Sequence, residues 1–147
     1  GQGVRYQYSG GNMIKRVHHV AIAVNNLDEA LATYEKFFGF KPSKVKTVAE
    51  QKVRAALLPV GDGELEIIQP IDPNSGVAKF LQTRGEGIHH ICFEVDDINK
   101  ELENMASRGV ELIDKKGRSG LAGTIGFLSP KSTNGVRIEL AQTHEHE

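Results

Sequence analysis

Two short stretches of the sequence carry a histidine pair in matching apolar surroundings, VHHVAIAVNNL at 17–27 and IHHICFEVDDI at 88–98. The second pair follows the first by 71 residues and the two stretches align without a gap, which predicts an internal duplication. Each copy ends in an apolar run with one carboxylate near its end, Glu66 in GELEIIQP and Glu139 in GVRIELAQ. Two copies of one histidine-and-glutamate arrangement would bring four ligand-type side chains to one place.

Strand alternation predicts which of these side chains share a face. Successive residues of a β-strand point to opposite sides of the sheet. By this rule His19 and His90 lie opposite the large apolar residues of their strands, which must pack against a helix. Glu66 and Glu139 fall on the same side as the two histidines, because the leucine and isoleucine residues beside them belong to the core. The four side chains are therefore expected to line one cavity.

Two imidazoles and two carboxylates on a half-buried face favour a bound cation. Such groups are costly to bury without a partner, and a divalent ion would neutralise both carboxylates at once. Two nitrogen and two oxygen ligands suit Co, Mn, Ni, Fe or Zn, with open octahedral positions for water or substrate. A polar cluster satisfied by its own hydrogen bonds is the alternative.

The remaining histidines, the thiol and the loop cations have simpler interpretations. His18 and His89 fall on the packing faces by the same alternation and are expected to be structural. Cys92 shares a face with His90, yet a small buried thiol is the favoured interpretation. Four cations in loops beside glycines could hold phosphates or remain solvated: Lys115, Lys116, Arg118 and Lys131.

The stretches that position these residues predict two modules of the form β-α-β-β-β. Asn26 is an N-cap before apolar residues at helical spacing, and Gly39 ends that helix. The second module repeats this plan after the N-cap Asp97, and residues 70–83 supply a loop and a short helix between the modules. The fold class is therefore α+β, with two tandem modules forming a curved mixed sheet around a metal site.

Length, charge and cysteine usage limit the class of protein. A chain of 147 residues with a formal net charge of −1 suits one compact unit and argues against a nucleic acid as partner. No apolar run approaches the roughly 18 residues of a membrane span, so the chain is expected to be soluble. The single cysteine excludes an intramolecular disulfide and fits a reducing cytoplasm.

The domain boundaries follow from composition. Residues 1–12, GQGVRYQYSGGN, are interpreted as a tag-like or disordered leader, and residues 144–147 as a tail. The span 13–143 is expected to be a single domain, with module one at about 14–72 and module two at about 84–142.

The duplicated modules and their histidine and glutamate set resemble the vicinal oxygen chelate superfamily, which has a glyoxalase-like fold. Within it, the similarity is to the methylmalonyl-CoA epimerase family and extends from Ile14 to Gln142. The runs that carry the resemblance are VHHVAIAVNNLDEALATYEKFFGF, LPVGDGELEIIQP, VAKFLQTRGEGIHHICFEVDDI and SPKSTNGVRIEL.

The resemblance implies a metal site and its ligands. The metal ligands of the family correspond to His19, Glu66, His90 and Glu139, the four residues that alternation also selects. It implies one divalent ion per chain, with Co²⁺ as the first choice and Mn²⁺, Ni²⁺, Zn²⁺ or Mg²⁺ as alternatives. It also implies a homodimer in the cytoplasm.

The resemblance further implies a reaction, the interconversion of (2R)- and (2S)-methylmalonyl-CoA. A base removes the α-proton, a metal-stabilised enolate forms, and an acid returns a proton to the other face. Glu139 is expected to be one acid/base, and Glu66 or a neighbour the other. Some family members carry a further carboxylate on the strand that here reads Val53-Arg54-Ala55-Ala56, so the second group stays open.

Two other functions use the same fold. A glyoxalase I-like lyase (lactoylglutathione lyase) has the same ligand set, but that family usually has an Asp-Pro-Asp-Gly-type turn where this chain has residues 129–135, SPKSTNG. A non-catalytic ligand-binding protein is the second alternative. Such proteins generally lack the metal ligands, whereas this chain has all four.

Overall fold

The computed structural model describes residues 14–144, so the expected leader at 1–12 and residues 145–147 of the expected tail lie outside the described residues. The order of elements confirms the predicted plan, because each module runs β-α-β-β-β and one further helix joins them. The strands are β1 Ile14–Ala23, β2 Lys44–Val48, β3 Val53–Val60, β4 Gly63–Pro70, β5 Gly87–Val95, β6 Arg118–Gly120, β7 Gly123–Leu128 and β8 Ile138–Gln142. The helices are α1 Leu27–Phe38, α2 Gly76–Arg84 and α3 Ile98–Ser107.

All eight strands form one mixed sheet in the order β2-β3-β4-β1-β5-β8-β7-β6. The middle of the sheet is the antiparallel pair β1 and β5, and each of these strands has a parallel neighbour on its outer side, β4 or β8. From either edge to the centre, the strands of each module therefore follow the same order: second, third, fourth and then first strand. This pseudo-two-fold places the first strands of the two copies side by side at the centre.

Strand β4 keeps an unbroken register on both sides. Glu66 pairs with Ala21 of β1 and with Leu57 of β3, and no bulge interrupts either ladder. The alternation used to place Glu66 therefore holds along this strand. By contrast, the β1 and β5 pairing shifts register at three places, one of them between Val17 and His19.

Helix α1 begins and ends at the residues that the sequence indicates. The Asn26 side chain accepts a hydrogen bond from the backbone N–H of Glu29 at 3.0 Å, which satisfies one of the free donors of the first turn. Gly39 closes the helix at φ 73°, a left-handed conformation that favours glycine. At the end of the helix the rings of Phe37 and Phe38 are largely exposed.

Equivalent glutamines anchor α1 and α3 to the sheet. The first N–H of α1, from Leu27, donates to Oε1 of Gln69 at 2.7 Å, and the first N–H of α3, from Ile98, donates to Oε1 of Gln142 at 3.1 Å. Both glutamines lie three residues after the glutamate of their module. Each glutamate strand therefore also fixes the start of the helix in its own module.

The core lies on both faces of the sheet. In β3 the neighbours Ala55 and Ala56 belong to different apolar clusters: Ala56 packs with Leu27 on the α1 side, and Ala55 packs with Ile68 on the opposite side. Strand alternation is the physical reason. In module two, α3 packs against the sheet through Leu102.

The glycine-rich stretch at 115–126 of the second module contains β6 and the first four residues of β7. The sequence predicts a strand at 125–128 and the structure confirms it, but β7 begins earlier, at Gly123. Four glycines interrupt the alternation in this stretch, which is why β6 and the start of β7 have no clear pattern. Within residues 14–144, no helix is long and apolar enough to cross a membrane.

Candidate metal centre

The four residues selected from the sequence lie on the four central strands of the sheet. His19 is on β1, Glu66 on β4, His90 on β5 and Glu139 on β8. Because β4-β1-β5-β8 are consecutive neighbours, their side chains on one face are close together. Their relative exposures are 1%, 7%, 2% and 3%, so all four are buried.

Their donor atoms converge closely. Nε2 of His19 lies 3.3 Å from Nε2 of His90. Oε1 of Glu66 lies 3.6 Å from His19 Nε2 and 3.4 Å from His90 Nε2. Oε1 of Glu139 lies 3.1 Å and 3.4 Å from the same two nitrogen atoms. Five distances among four atoms thus fall between 3.1 and 3.6 Å.

These distances fit a shared divalent cation. Two ligand atoms that are each about 2.1 Å from one ion lie about 3.0 Å apart at a right angle and about 3.4 Å apart in a tetrahedron. In addition, Oε1 of Glu139 is buried and accepts no hydrogen bond from the described part of the chain, although His19 Nε2 is 3.1 Å away. The donor atoms are therefore directed at a common point rather than at one another, as a metal ion requires.

Each converging histidine is supported by the histidine that precedes it. Nδ1 of His18 lies 2.8 Å from Nδ1 of His19, and Nδ1 of His89 lies 2.9 Å from Nδ1 of His90. A histidine that binds metal through Nε2 carries its proton on Nδ1 and donates it to an outer partner, which fixes the ring. The sequence analysis was wrong to assign His18 and His89 to the packing faces, because the register shifts of β1 and β5 turn them towards the site.

The two outer histidines, His18 and His89, have neighbours of opposite charge. Nε2 of His18 lies 3.9 Å from Oε2 of Glu64, whereas Nη1 of Arg137 lies 3.1 Å from Nε2 of His89. Burial, together with the nearby charges of His90 and Arg137, lowers the pKa of His89 to about 3, so this ring is neutral. A neutral ring accepts a hydrogen bond at one nitrogen only, so His89 accepts either from His90 Nδ1 or from Arg137 and not from both. The two halves of the duplication therefore have different electrostatic surroundings.

The centre itself binds protons tightly in the absence of an ion. Burial alone would lower the pKa of His90, but the Glu139 and Glu66 carboxylates outweigh burial and raise this pKa to about 9. Burial likewise favours a neutral Glu139, yet the His90 and His19 imidazoles hold the pKa of this carboxyl well below its usual range. A cation that enters the centre must displace the His90 proton.

Cys92 is a buried free thiol beside the centre, as predicted. It is opposite Glu139 in the β5 and β8 register, and it lies close enough to His18 and His19 for one atom of each to fall within 4.8 Å. Burial and the neighbouring Glu139 raise the pKa of the thiol well above its usual value. Cys92 is therefore a neutral packing residue in this arrangement.

A cavity of about 380 Å³ opens next to the histidine pair of module two. Its walls combine apolar side chains, Ile68 and Phe127, with polar ones, Gln51, His89 and His90. The Phe127 ring stands edge-on to His90 with 5.3 Å between ring centroids. His90 is both one of the converging donors and a wall of this cavity, so a small acyl group in the cavity would lie beside the centre.

Two arginines, Arg137 and Arg118, line this cavity. The alternation that selects Glu139 also predicts Arg137 on the cavity side, and the structure confirms this placement, although no role was assigned to it. Arg118 was considered only as a loop charge. Gln51 has no such sequence pattern, because it lies in a single helical turn at 49–51.

The chain was compared with known families. A family model described as the Glyoxalase/Bleomycin resistance protein/Dioxygenase superfamily matches residues 18–128. This range contains both histidine pairs, Glu66, and all three helices.

Curated relatives and solved structures extend the similarity over most of the chain. The mitochondrial methylmalonyl-CoA epimerase of Dictyostelium discoideum is 35% identical and the match covers 88% of this chain and 79% of that protein. The crystal structure of methylmalonyl-CoA epimerase from Mycobacterium tuberculosis has a TM-score of 0.87 at 32% identity, covering 92% of this chain and 93% of that one. A methylmalonyl-CoA epimerase in complex with methylmalonyl-CoA and NH4+ has a TM-score of 0.85 at 32% identity, covering 89% and 96%.

Proposed function

The chain belongs to the Glyoxalase/Bleomycin resistance protein/Dioxygenase superfamily, and from this membership we propose that it is an epimerase that interconverts (2R)- and (2S)-methylmalonyl-CoA. The methylmalonyl-CoA epimerases among its relatives and structural neighbours support this choice within the superfamily. The observation that carries the proposal is the convergence of His19, Glu66, His90 and Glu139, with donor atoms 3.1 to 3.6 Å apart beside a cavity for an acyl group.

These four residues would hold one divalent cation. Cobalt is our first choice because two imidazole and two carboxylate ligands suit a borderline ion, and Mn²⁺, Ni²⁺, Zn²⁺ and Mg²⁺ are alternatives. When bound, such a cation would polarise the thioester and carboxylate oxygens of the substrate and stabilise the charge that develops on deprotonation. The outer histidines His18 and His89 would keep the two imidazoles in the orientation and tautomer that binding needs.

Inversion at the α-carbon needs two proton-transfer groups, one for each face of the planar intermediate. We assign these roles to Glu139 and Glu66, which come from equivalent strands of the two modules. Both contact the histidines through Oε1, so a second carboxylate oxygen remains for the substrate proton. A positioned group of this kind contributes on the order of 10²–10⁴ in rate.

Strand β3 offers no third carboxylate for this task. Ala55 is buried in an apolar cluster with Leu57 and Ile68, on the strand where some family members carry an acid. Glu50, in the helical turn just before β3, does line the acyl cavity and is a further carboxylate at the site, and Glu66 remains our choice for the second acid/base group.

Three coarser properties complete the proposal. We propose that residues 13–143 act as one domain, since the strands of both modules share a single sheet. We propose a homodimer, in keeping with the large exposed rings of Phe37 and Phe38 at the end of α1, which light scattering can test. The reduced, buried Cys92 fits a cytoplasmic protein.

Proton NMR of a single epimer of methylmalonyl-CoA in deuterated buffer tests the proposed function. The metal-loaded protein is expected to exchange the α-proton for deuterium and to produce the other epimer. Chelator should stop both processes, and added Co²⁺ should restore them. If neither epimer shows exchange while stoichiometric metal is bound, the epimerase proposal is wrong. Methylglyoxal with a thiol would then test the lyase alternative.

A further inference from the structure

A second pocket, of about 170 Å³, lies beside the acyl cavity. Both spaces are lined by His89, His90 and Arg137, so Arg137 stands where they meet. On its far side the second pocket is lined by Arg84, the last residue of α2. A ligand with its reacting end in the acyl cavity could therefore extend past Arg137 towards Arg84.

The two arginines of this pocket have no acidic partner. Among residues 14–144, no carboxylate forms an ion pair with Arg84 or Arg137, and no carboxylate lines the pocket. The contacts of Arg137 are to the His89 ring and to its backbone oxygen, and Arg84 lies over the Phe80 ring at 5.7 Å. The acid nearest in sequence, Glu86, is directed elsewhere and accepts a hydrogen bond from the Asn25 N–H.

The cations at the other mouth of the acyl cavity differ in this respect. Lys52 pairs with Asp72 at 3.6 Å, and Arg118 pairs with Asp114 at 3.0 Å. Their charges are compensated within the chain, so an anion gains less there than at an uncompensated guanidinium pair. Of the cations around the two connected spaces, Arg84 and Arg137 are the ones left for a ligand.

The two guanidinium groups line the same pocket, Arg137 partly buried and Arg84 exposed. Like charges at one pocket repel each other, and an oxyanion between them would offset this repulsion. The rim adds apolar surface, since Ile88 is 65% and Val136 is 41% exposed.

We propose that the pocket formed by Arg84 and Arg137 binds the phosphate groups of the coenzyme A portion of the substrate, with the pantetheine arm crossing Ile88 and Val136. This inference rests on the proposed function, because it takes the acyl thioester to occupy the neighbouring cavity. It assigns phosphate recognition to the end of α2 and to the residue just before β8, and not to the loop lysines at 115 and 116.

A comparison of two substrates tests the assignment. Methylmalonyl-CoA carries the phosphates, whereas methylmalonyl-pantetheine keeps the thioester and the free carboxylate without them. In Arg84→Met the KM for the CoA thioester should rise about tenfold, the value of one lost charge-assisted hydrogen bond, while kcat/KM for the pantetheine thioester stays unchanged. Arg137→Met should behave alike, and high salt should reduce the difference between wild type and variant.

Lys79→Met is the matched control, because Lys79 is an exposed cation of the same helix that lines neither space. It should leave the preference for the CoA thioester unchanged. An equal loss with both substrates in Arg84→Met would mean that the arginine binds the acyl carboxylate and would overturn the assignment. If KM for the CoA thioester rose more in Arg118→Met than in Arg84→Met, the phosphates would bind at the other mouth of the acyl cavity. That result would also overturn the assignment.

Calorimetry with free coenzyme A separates this inference from the proposed function. Wild type should bind coenzyme A, and Arg84→Met should bind it about tenfold more weakly. If wild type binds coenzyme A through Arg84 but epimerises nothing, the phosphate site stands and the reaction is wrong. If wild type epimerises and Arg84→Met keeps full affinity, the reaction stands and the phosphate site is wrong.

Discussion

Nε2 of His19 and Nε2 of His90 lie 3.3 Å apart across the central pair of strands, although 71 residues separate them in the chain. Each histidine comes from the first strand of its own module, so the centre exists only where the two modules meet. One module supplies one imidazole and one carboxylate, too few donors to enclose a divalent ion. Duplication of a simple unit thus creates a four-donor site through symmetry.

Replacement of Glu139 by glutamine tests its role in proton transfer. The amide keeps the shape of the side chain and one ligand oxygen but cannot accept the α-proton. We expect epimerisation and deuterium exchange to fall by about 10²–10⁴ in protein that still contains metal. Glu94→Gln is the control, because Glu94 is a similarly buried carboxylate that pairs with Arg16 outside the centre. Full exchange by metal-loaded Glu139→Gln would refute the assignment.

Metal affinity should depend on pH with a defined sign. The pKa of His90 in the metal-free protein is raised to about 9, so below that pH a proton occupies the nitrogen that the ion needs. We expect the dissociation constant for Co²⁺ to fall about tenfold per pH unit between pH 6 and 8 and to level off near pH 9. Competition with a chelator of known affinity measures it. A dissociation constant independent of pH would exclude His90 as a ligand.

The stability of the metal-free protein should show the opposite trend. Because the folded-state pKa of His90 is raised above its unfolded value, protonation stabilises the fold. This contribution is fully present below about pH 6.5 and is lost as the pH rises through about 9. In the presence of chelator, Tm should therefore fall between pH 6.5 and pH 9. His90→Gln should lack this decline, and an identical decline in the variant would assign it to another group.

The outer histidines should control metal affinity without binding the ion. Replacement of His18 by phenylalanine removes the partner of His19 Nδ1, which lies 2.8 Å away, while a ring still fills the space. We expect metal affinity to fall about 10- to 100-fold. His89→Phe should weaken it similarly through His90, and the Tyr34→Phe variant at the α1 surface provides an unaffected reference. Unchanged affinity in both histidine variants would contradict the proposed support.

Gly123 is required by the turn between β6 and β7. Its φ is 138°, and a Cβ there would clash with the backbone oxygen of Gln142. Gly123→Ala should therefore destabilise the protein by at least about 1–3 kcal/mol, measured by chemical denaturation. Gly63→Ala is the control, since the nearest atom to its added Cβ is Val60 O at 3.9 Å. Equal stability of the two variants would show that the turn can relax.

The sequence by itself determined the duplication, the order of elements and the four converging donors. Repetition of the histidine pair and the alternation in β4 and β8 were sufficient, because a regular strand has a fixed period of two residues. Helix ends were equally accessible, since Asn26 and Gly39 act on backbone groups within one turn. These features depend on local geometry, and a single chain contains all the information needed to recognise them.

Only the tertiary structure decided what surrounds the centre. The register shifts between β1 and β5 turn His18 and His89 towards the ligand histidines. The pattern of apolar and polar residues does not predict where such a shift occurs. Arg84 and Arg137 likewise line one pocket although 53 residues separate them in the chain, since one ends α2 and the other directly precedes β8. Pairings between distant residues follow from packing of the whole sheet, so they appear only once the chain is folded.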